Sequence, residues 1–143
     1  MTFRDITIVP VRADRKAAYL EFSARIAAIY REYGAVRIVD CWQVEAASDG
    51  ADFHAADAMA TYDPEALPDM RRLAGAREGE TVVVSFTEWP SREVRDRAVK
   101  AIAVDARIQA TMHEDPIFDG GRLIAGGFDV ELDLGDQGLN NVP

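Results

Sequence analysis

"HEDPIFD" places His113, Glu114, Asp115 and Asp119 within one short stretch. An imidazole beside carboxylates supplies the donor types of a metal site. Zinc sites, however, draw on spaced His or Cys, and only His54 could add a second ring nitrogen. A solvated turn ahead of the last strand is the stronger reading, so no metal is expected. His113 or His54 as a general base lacks any partner that the sequence ties to it. Cys41, the single cysteine, lies between Asp40 and Trp42 with no basic residue beside it to favour a thiolate, and reads as an inert core thiol. In "EWPS", Trp89 packs, Pro90 turns and Ser91 caps a helix. Glu88 either projects into a cavity as an acid or base or, the preferred reading, lies at the wet end of a sheet.

Three further groups are singled out. Arg37 and Asp40 fall on opposite faces of one predicted strand, so one of them is expected to point toward a cavity or a subunit seam. Arg122 could meet an acidic group across such a seam or hold a ligand anion. "FDGGR" has paired glycines but lacks GxxxxGK[ST] and precedes a strand, which argues against a phosphate cradle. A tight turn is expected, with Asp119 bonding backbone amides and Gly120 or Gly121 at positive φ. No cofactor motif appears, and none is expected to bind.

The elements that must position these groups follow from periodicity. Residues 6–11, "ITIVPV", are β-branched and predict a first strand. Asp14 is expected to cap a helix whose apolar stripe is Ala18, Phe22, Ile26, Ile29 and Tyr33, with Gly34 as its left-handed stop. Residues 35–44 and 80–89 predict the second and third strands. Ser91 caps a second helix with Val94, Ala98, Ala101 and Ile102 buried, and residues 122–132 form the fourth strand. Between strands two and three, Asp63, Pro64, Leu67, Met70, Leu73 and Gly75 look helical, and Pro68 allows only a short helix or a broken turn. The domain is expected to span residues 1–134, with a flexible tail over 135–143. Strand, helix, strand, strand, helix, strand is the ferredoxin-like βαββαβ order, an α+β fold with an antiparallel sheet and a long insertion between strands two and three.

Composition narrows the partners. The formal charge is −9, from 25 acidic and 16 basic residues, which argues against nucleic acid and anionic membrane surfaces. "SREVRDRAVK" interleaves its basic residues with Glu93 and Asp96 and reads as a solvated helix face. One cysteine allows no intrachain disulfide and nothing points to secretion. No apolar run approaches a membrane span of about 20 residues, and cytoplasmic residence is the default expectation.

Two helices can cover one face of a four-stranded sheet, and an exposed second face should alternate apolar with polar residues. These strands carry apolar residues on both sides. Val36, Ile38 and Trp42 oppose Val39 and Cys41; Val82, Val84 and Phe86 oppose Val83; Ile6 and Ile8 oppose Val9 and Val11. About six such side chains left in water would forgo about 9 kcal/mol of burial, as much as a small domain's whole stability. Either the long 45–79 segment or, the commoner solution, a second copy must cover them. A homodimer is expected.

"YGAVRIVDCW", "EGETVVVSFTEWPSREVRD" and "FDGGRLIAGGF", together with the opening "VPV", resemble the YbaA-like proteins, small bacterial proteins of unknown function. The resemblance implies the dimeric α+β-barrel group, in which two ferredoxin-like subunits set their sheets face to face. This chain is longer than the family pattern between Trp42 and Glu78, and His54 has no family position there. Related barrels include cofactor-free oxygenases, isomerases and haem-degrading enzymes, so the resemblance implies a small-molecule site or a cofactor-free enzyme in the cavity between sheet and helices. Its expected lining is Asp40, Trp42, Phe86, Glu88, Arg122 and Phe128. The alternative is a non-catalytic dimer with a filled core that acts through protein association. Gly126 and Gly127 are expected either to form a bulge or close approach near the subunit contact, or to make room for a ring such as Trp42 or Trp89.

Overall fold

The β-branched run near the N-terminus extends at both ends into β1 (Phe3–Arg12), because antiparallel neighbours on each side satisfy its backbone groups. The computed structural model describes residues 2–44, 60–63 and 66–135; His54 and Pro64, named above, lie outside them. A single 3₁₀ turn (Ala13–Arg15) leads into α1 (Lys16–Glu32), and neither makes a side-chain cap. Asp14 is not the cap that the sequence predicts, because the Arg12 guanidinium, 2.8 and 3.1 Å away, occupies both of its oxygens. Gly34, at φ 113°, takes the left-handed position after the helix that only glycine occupies cheaply.

β2 (Arg37–Trp42) is shorter than predicted. α2 (Met70–Ala74) is capped by Asp69, whose carboxylate accepts from the Arg72 amide at 2.7 Å, six residues beyond the expected cap at Asp63. Leu67 therefore precedes the helix. β3 (Glu80–Trp89) matches its predicted bounds, and Ser91 caps α3 (Arg92–Ala103) by accepting from the Val94 amide at 3.2 Å. α4 (Ala106–Ala110), capped by Asp105, is a helix that the sequence reading lacks. β4 (Ile124–Asp129) begins later than expected, because Arg122 belongs to a 3₁₀ turn (Gly120–Arg122). Asp119 accepts from the Gly121 amide in that turn at 2.9 Å, as expected, but neither glycine has positive φ.

The strands form one open antiparallel sheet in the order β2-β3-β1-β4. Strand parity divides its side chains between two faces. Toward α1 and α3 point Phe3, Val9 and Val11 of β1, and Val83 and Trp89 of β3, all buried. One core cluster joins Phe3, Trp89, Ala98 and Ile102; the other joins Val9, Val11, Tyr19 and Val83. The opposite face presents Ile6, Ile8, Val39, Val84, Phe86 and Phe128. Its Val82 end is fully buried, and α2 packs against β1 and β3 there. Elsewhere on this face Ile6, Ile8, Val39, Val84 and Phe86 are half-buried, Phe86 beneath the Arg4 guanidinium, and Ile124 and Phe128 are 41% and 52% exposed.

The β1–β4 register runs without interruption from Phe3↔Asp129 to Ile8↔Ile124, so Gly126 and Gly127 form no bulge. They make room for rings, although not those of Trp42 or Trp89. A Cβ on Gly127 would stand 2.5 Å from Phe3 Cζ, and one on Gly126 would stand 3.1 Å from Phe128 Cε2.

Candidate functional site

On α1, Tyr19, Phe22, Ser23, Ile26 and Tyr30 recur at three- and four-residue steps and so share one side of the helix. That side faces Thr7 of β1, Asp40 of β2, and Ser85 and Thr87 of β3, and a cavity of about 190 Å³ lies between them. Phe118 and Leu123, from the segment leading into β4, complete its wall. The ring of Phe118 lies 6.4 Å from that of Phe22, near perpendicular, and 6.3 Å from that of Tyr19.

Asp40 is the one carboxylate among the described residues lining the cavity, and it accepts a hydrogen bond from the Ser23 hydroxyl. Burial pushes the Tyr19 phenol above its ordinary pKa, the Asp40 charge adds to that, and a hydrogen bond with Ser85 opposes it. Tyr30 is raised as well, first by burial and then by the charge of Asp5. Both phenols are therefore held in their neutral, proton-donating form through the physiological range. Chemically the cavity combines apolar and aromatic walls, several hydroxyls and one negative charge.

The six expected lining residues do not share this cavity. Asp40 lines it. Trp42 points to the same side of the sheet but stacks edge-on against Tyr19 at 5.8 Å, with the Lys16 ammonium 5.4 Å from its ring centroid. Phe86, Glu88 and Phe128 occupy the opposite face, because β3 and β4 present alternate residues to it. There Glu88 pairs with Arg4 at 2.7 Å, and the Arg4 guanidinium lies 4.4 Å from the Phe86 centroid. Arg122 lies outside this cavity, with its guanidinium engaged within the chain. It binds both oxygens of Glu80 at 2.8 Å and the Gly75 carbonyl at 2.6 Å. That arginine draws the Glu80 pKa from 4.5 down to about 2.

Other candidates are placed as follows. Cys41 is exposed on the open face rather than a core thiol, since it is opposite Val84 in the register. His113 ends an exposed 3₁₀ turn, and Glu114 accepts from Arg25 at 2.8 and 2.9 Å. Arg37 and Asp40 do lie on opposite faces. Arg95 departs from the expected solvated helix face: it contacts both oxygens of Asp5, which also accepts from the Trp89 indole at 3.0 Å. Sequence reasoning missed Tyr19, Ser23 and Tyr30. Their shared three- and four-residue spacing was the available signal, but they lie one position off the aliphatic stripe.

A family model described as protein of unknown function, DUF1428, matches residues 2–120. The uncharacterized protein YbaA of Escherichia coli K12 is 39% identical over 133 residues, covering 93% of this chain and 99% of that protein. The same figures hold for the uncharacterized protein YbaA of Shigella flexneri. With the match extending over the cavity's strands, its helix α1 and Phe118, this chain belongs to the DUF1428 family, whose function is unknown.

Proposed function

We propose that the chain is a ferredoxin-like subunit of a homodimeric α+β barrel and that the cavity between its sheet and α1 binds a small molecule. The observation carrying the ligand reading is the placement of Asp40 and Ser23 in a 190 Å³ cavity walled by Tyr19, Phe22 and Phe118. Convergent polar groups on apolar walls are the usual composition of a ligand site. The β2-β3-β1-β4 order with α1 and α3 on one face supports the ferredoxin-like reading. The apolar opposite face supports pairing with a second copy, since a two-fold contact sets the same side chains of each sheet against each other.

The competing reading, a filled core acting only through association, draws on the cavity's size, which is below the ~300 Å³ of most ligand sites. A thermal-shift screen of small metabolites against the protein and an Ala27→Phe variant separates the two. Ala27 lines the cavity, so ligands of that site should raise the melting temperature of the parent and not of the variant. Equal shifts in both proteins, or none in the parent, would favour the filled core.

A further inference from the structure

Resting on the ligand reading above, we propose that the cavity's ligand is a compact organic cation, a protonated amine on a single ring, held by Asp40. Asp40 differs from the other sheltered carboxylates. Asp5, Asp69, Glu80, Glu88 and Asp105 each meet an arginine, at 2.8, 3.2, 2.8, 2.7 and 3.0 Å. Among the described residues Asp40 forms no ion pair, and its hydrogen-bond donor is the uncharged Ser23 hydroxyl. Lys16, on the same helix, places its ammonium over Trp42 instead. Among the described residues no Lys, Arg or His lines the cavity, so the formal charge they bring to it is negative.

A carboxylate accepts about four hydrogen bonds, and Ser23 takes one. Its remaining lone pairs can accept one or two of the diverging N–H donors of an ammonium group. The walls favour the same charge: Tyr19, Phe22, Tyr30 and Phe118 line the cavity, and aromatic faces attract cations. An anion would meet Asp40 with no cation to offset the repulsion. A closed cavity of about 150 Å³ holds benzene, so this one, at 190 Å³ and partly open to solvent, has room for one six-membered ring with a short arm.

Three probes of one shape test the charge: benzylamine, benzyl alcohol and benzoate, titrated at pH 7 and followed by ligand-detected NMR. The expected result is benzylamine binding at least tenfold tighter than benzyl alcohol, with benzoate weakest. Asp40→Asn keeps the shape and should erase the amine's advantage over benzyl alcohol. Comparable affinity for amine and alcohol in the parent protein would overturn the cation inference and leave the cavity reading intact. Failure of all three probes to bind the parent would overturn both. The comparison among probes in the parent decides the matter even if the Asn variant does not fold.

Discussion

The Phe3 ring lies against the backbone of Gly127, where a Cβ would come within 2.5 Å of Phe3 Cζ. Phe3 is itself buried against Trp89, Ala98 and Ile102, so the ring has little room to retreat. Gly127→Ala should therefore destabilise the protein by about 1–3 kcal/mol, the usual cost of overpacking. Chemical denaturation should also show that Phe3→Leu lessens the effect of adding the methyl group; additive losses would refute the clash. Glu80 makes a different prediction. Arg122 holds its pKa at about 2 against 4.5. A depressed carboxylate contributes its stability above the unfolded value and loses it as pH falls through the folded one. Glu80→Gln should accordingly be less stable than the parent at neutral pH, with the difference shrinking from about pH 4.5 to about pH 2. A difference unchanged across that window in urea titrations would dismiss the ion pair as a source of stability.

Among the elements, α3 depends on a local device. The Ser91 hydroxyl satisfies the Val94 amide, and Ser91→Ala should cost about 1 kcal/mol. Equilibrium denaturation would register this as a lower midpoint at unchanged slope; an unchanged midpoint would show that water replaces the cap. Such devices are what a sequence discloses well. Glu80–Trp89 is a β-branched run closed by Pro90, and its bounds were legible because both ends are local. Asp63 and Asp69 both offer starts with Pro68 between them: the Ala66 amide bonds the Asp63 carbonyl in a turn, and the α-helix itself begins only after Asp69. The candidate site was legible only at Asp40, a carboxylate conspicuous in an apolar strand. Ser23 and Tyr19 were not, because their importance depends on which side of α1 meets the sheet. Phe86 and Glu88 share one side of β3, and they were expected in the cavity because alternation alone does not say which side the helices take.

For the whole molecule, the sheet has more apolar surface than its helices can shield. α1 and α3 cover the side of Val9, Val83 and Trp89, while α2 reaches only the Val82 end of the other. On that second side Arg4 pairs with Glu88 and lies over Phe86, and the exposed Arg37 stands 5.9 Å from the same ring. The Ile6, Ile8, Val39 and Val84 region can therefore meet a like surface without stranding an unpaired carboxylate, and the proposed homodimer uses it. Sedimentation at micromolar concentration should give twice the 15.7 kDa chain mass. Val84→Lys, at the centre of the face, should give a monomer with unchanged far-ultraviolet circular dichroism, because the introduced ammonium would face solvent in an isolated subunit. The parent's melting temperature should rise with protein concentration and the variant's should not, as mass action requires when association is coupled to folding. A parent that sediments as a monomer, with a melting point independent of concentration, would leave this face uncovered and remove the dimer from the proposal. The Asp40 cavity would be untouched by that result, because it lies on the α1 side of the sheet, opposite the face of Ile6, Ile8, Val39 and Val84.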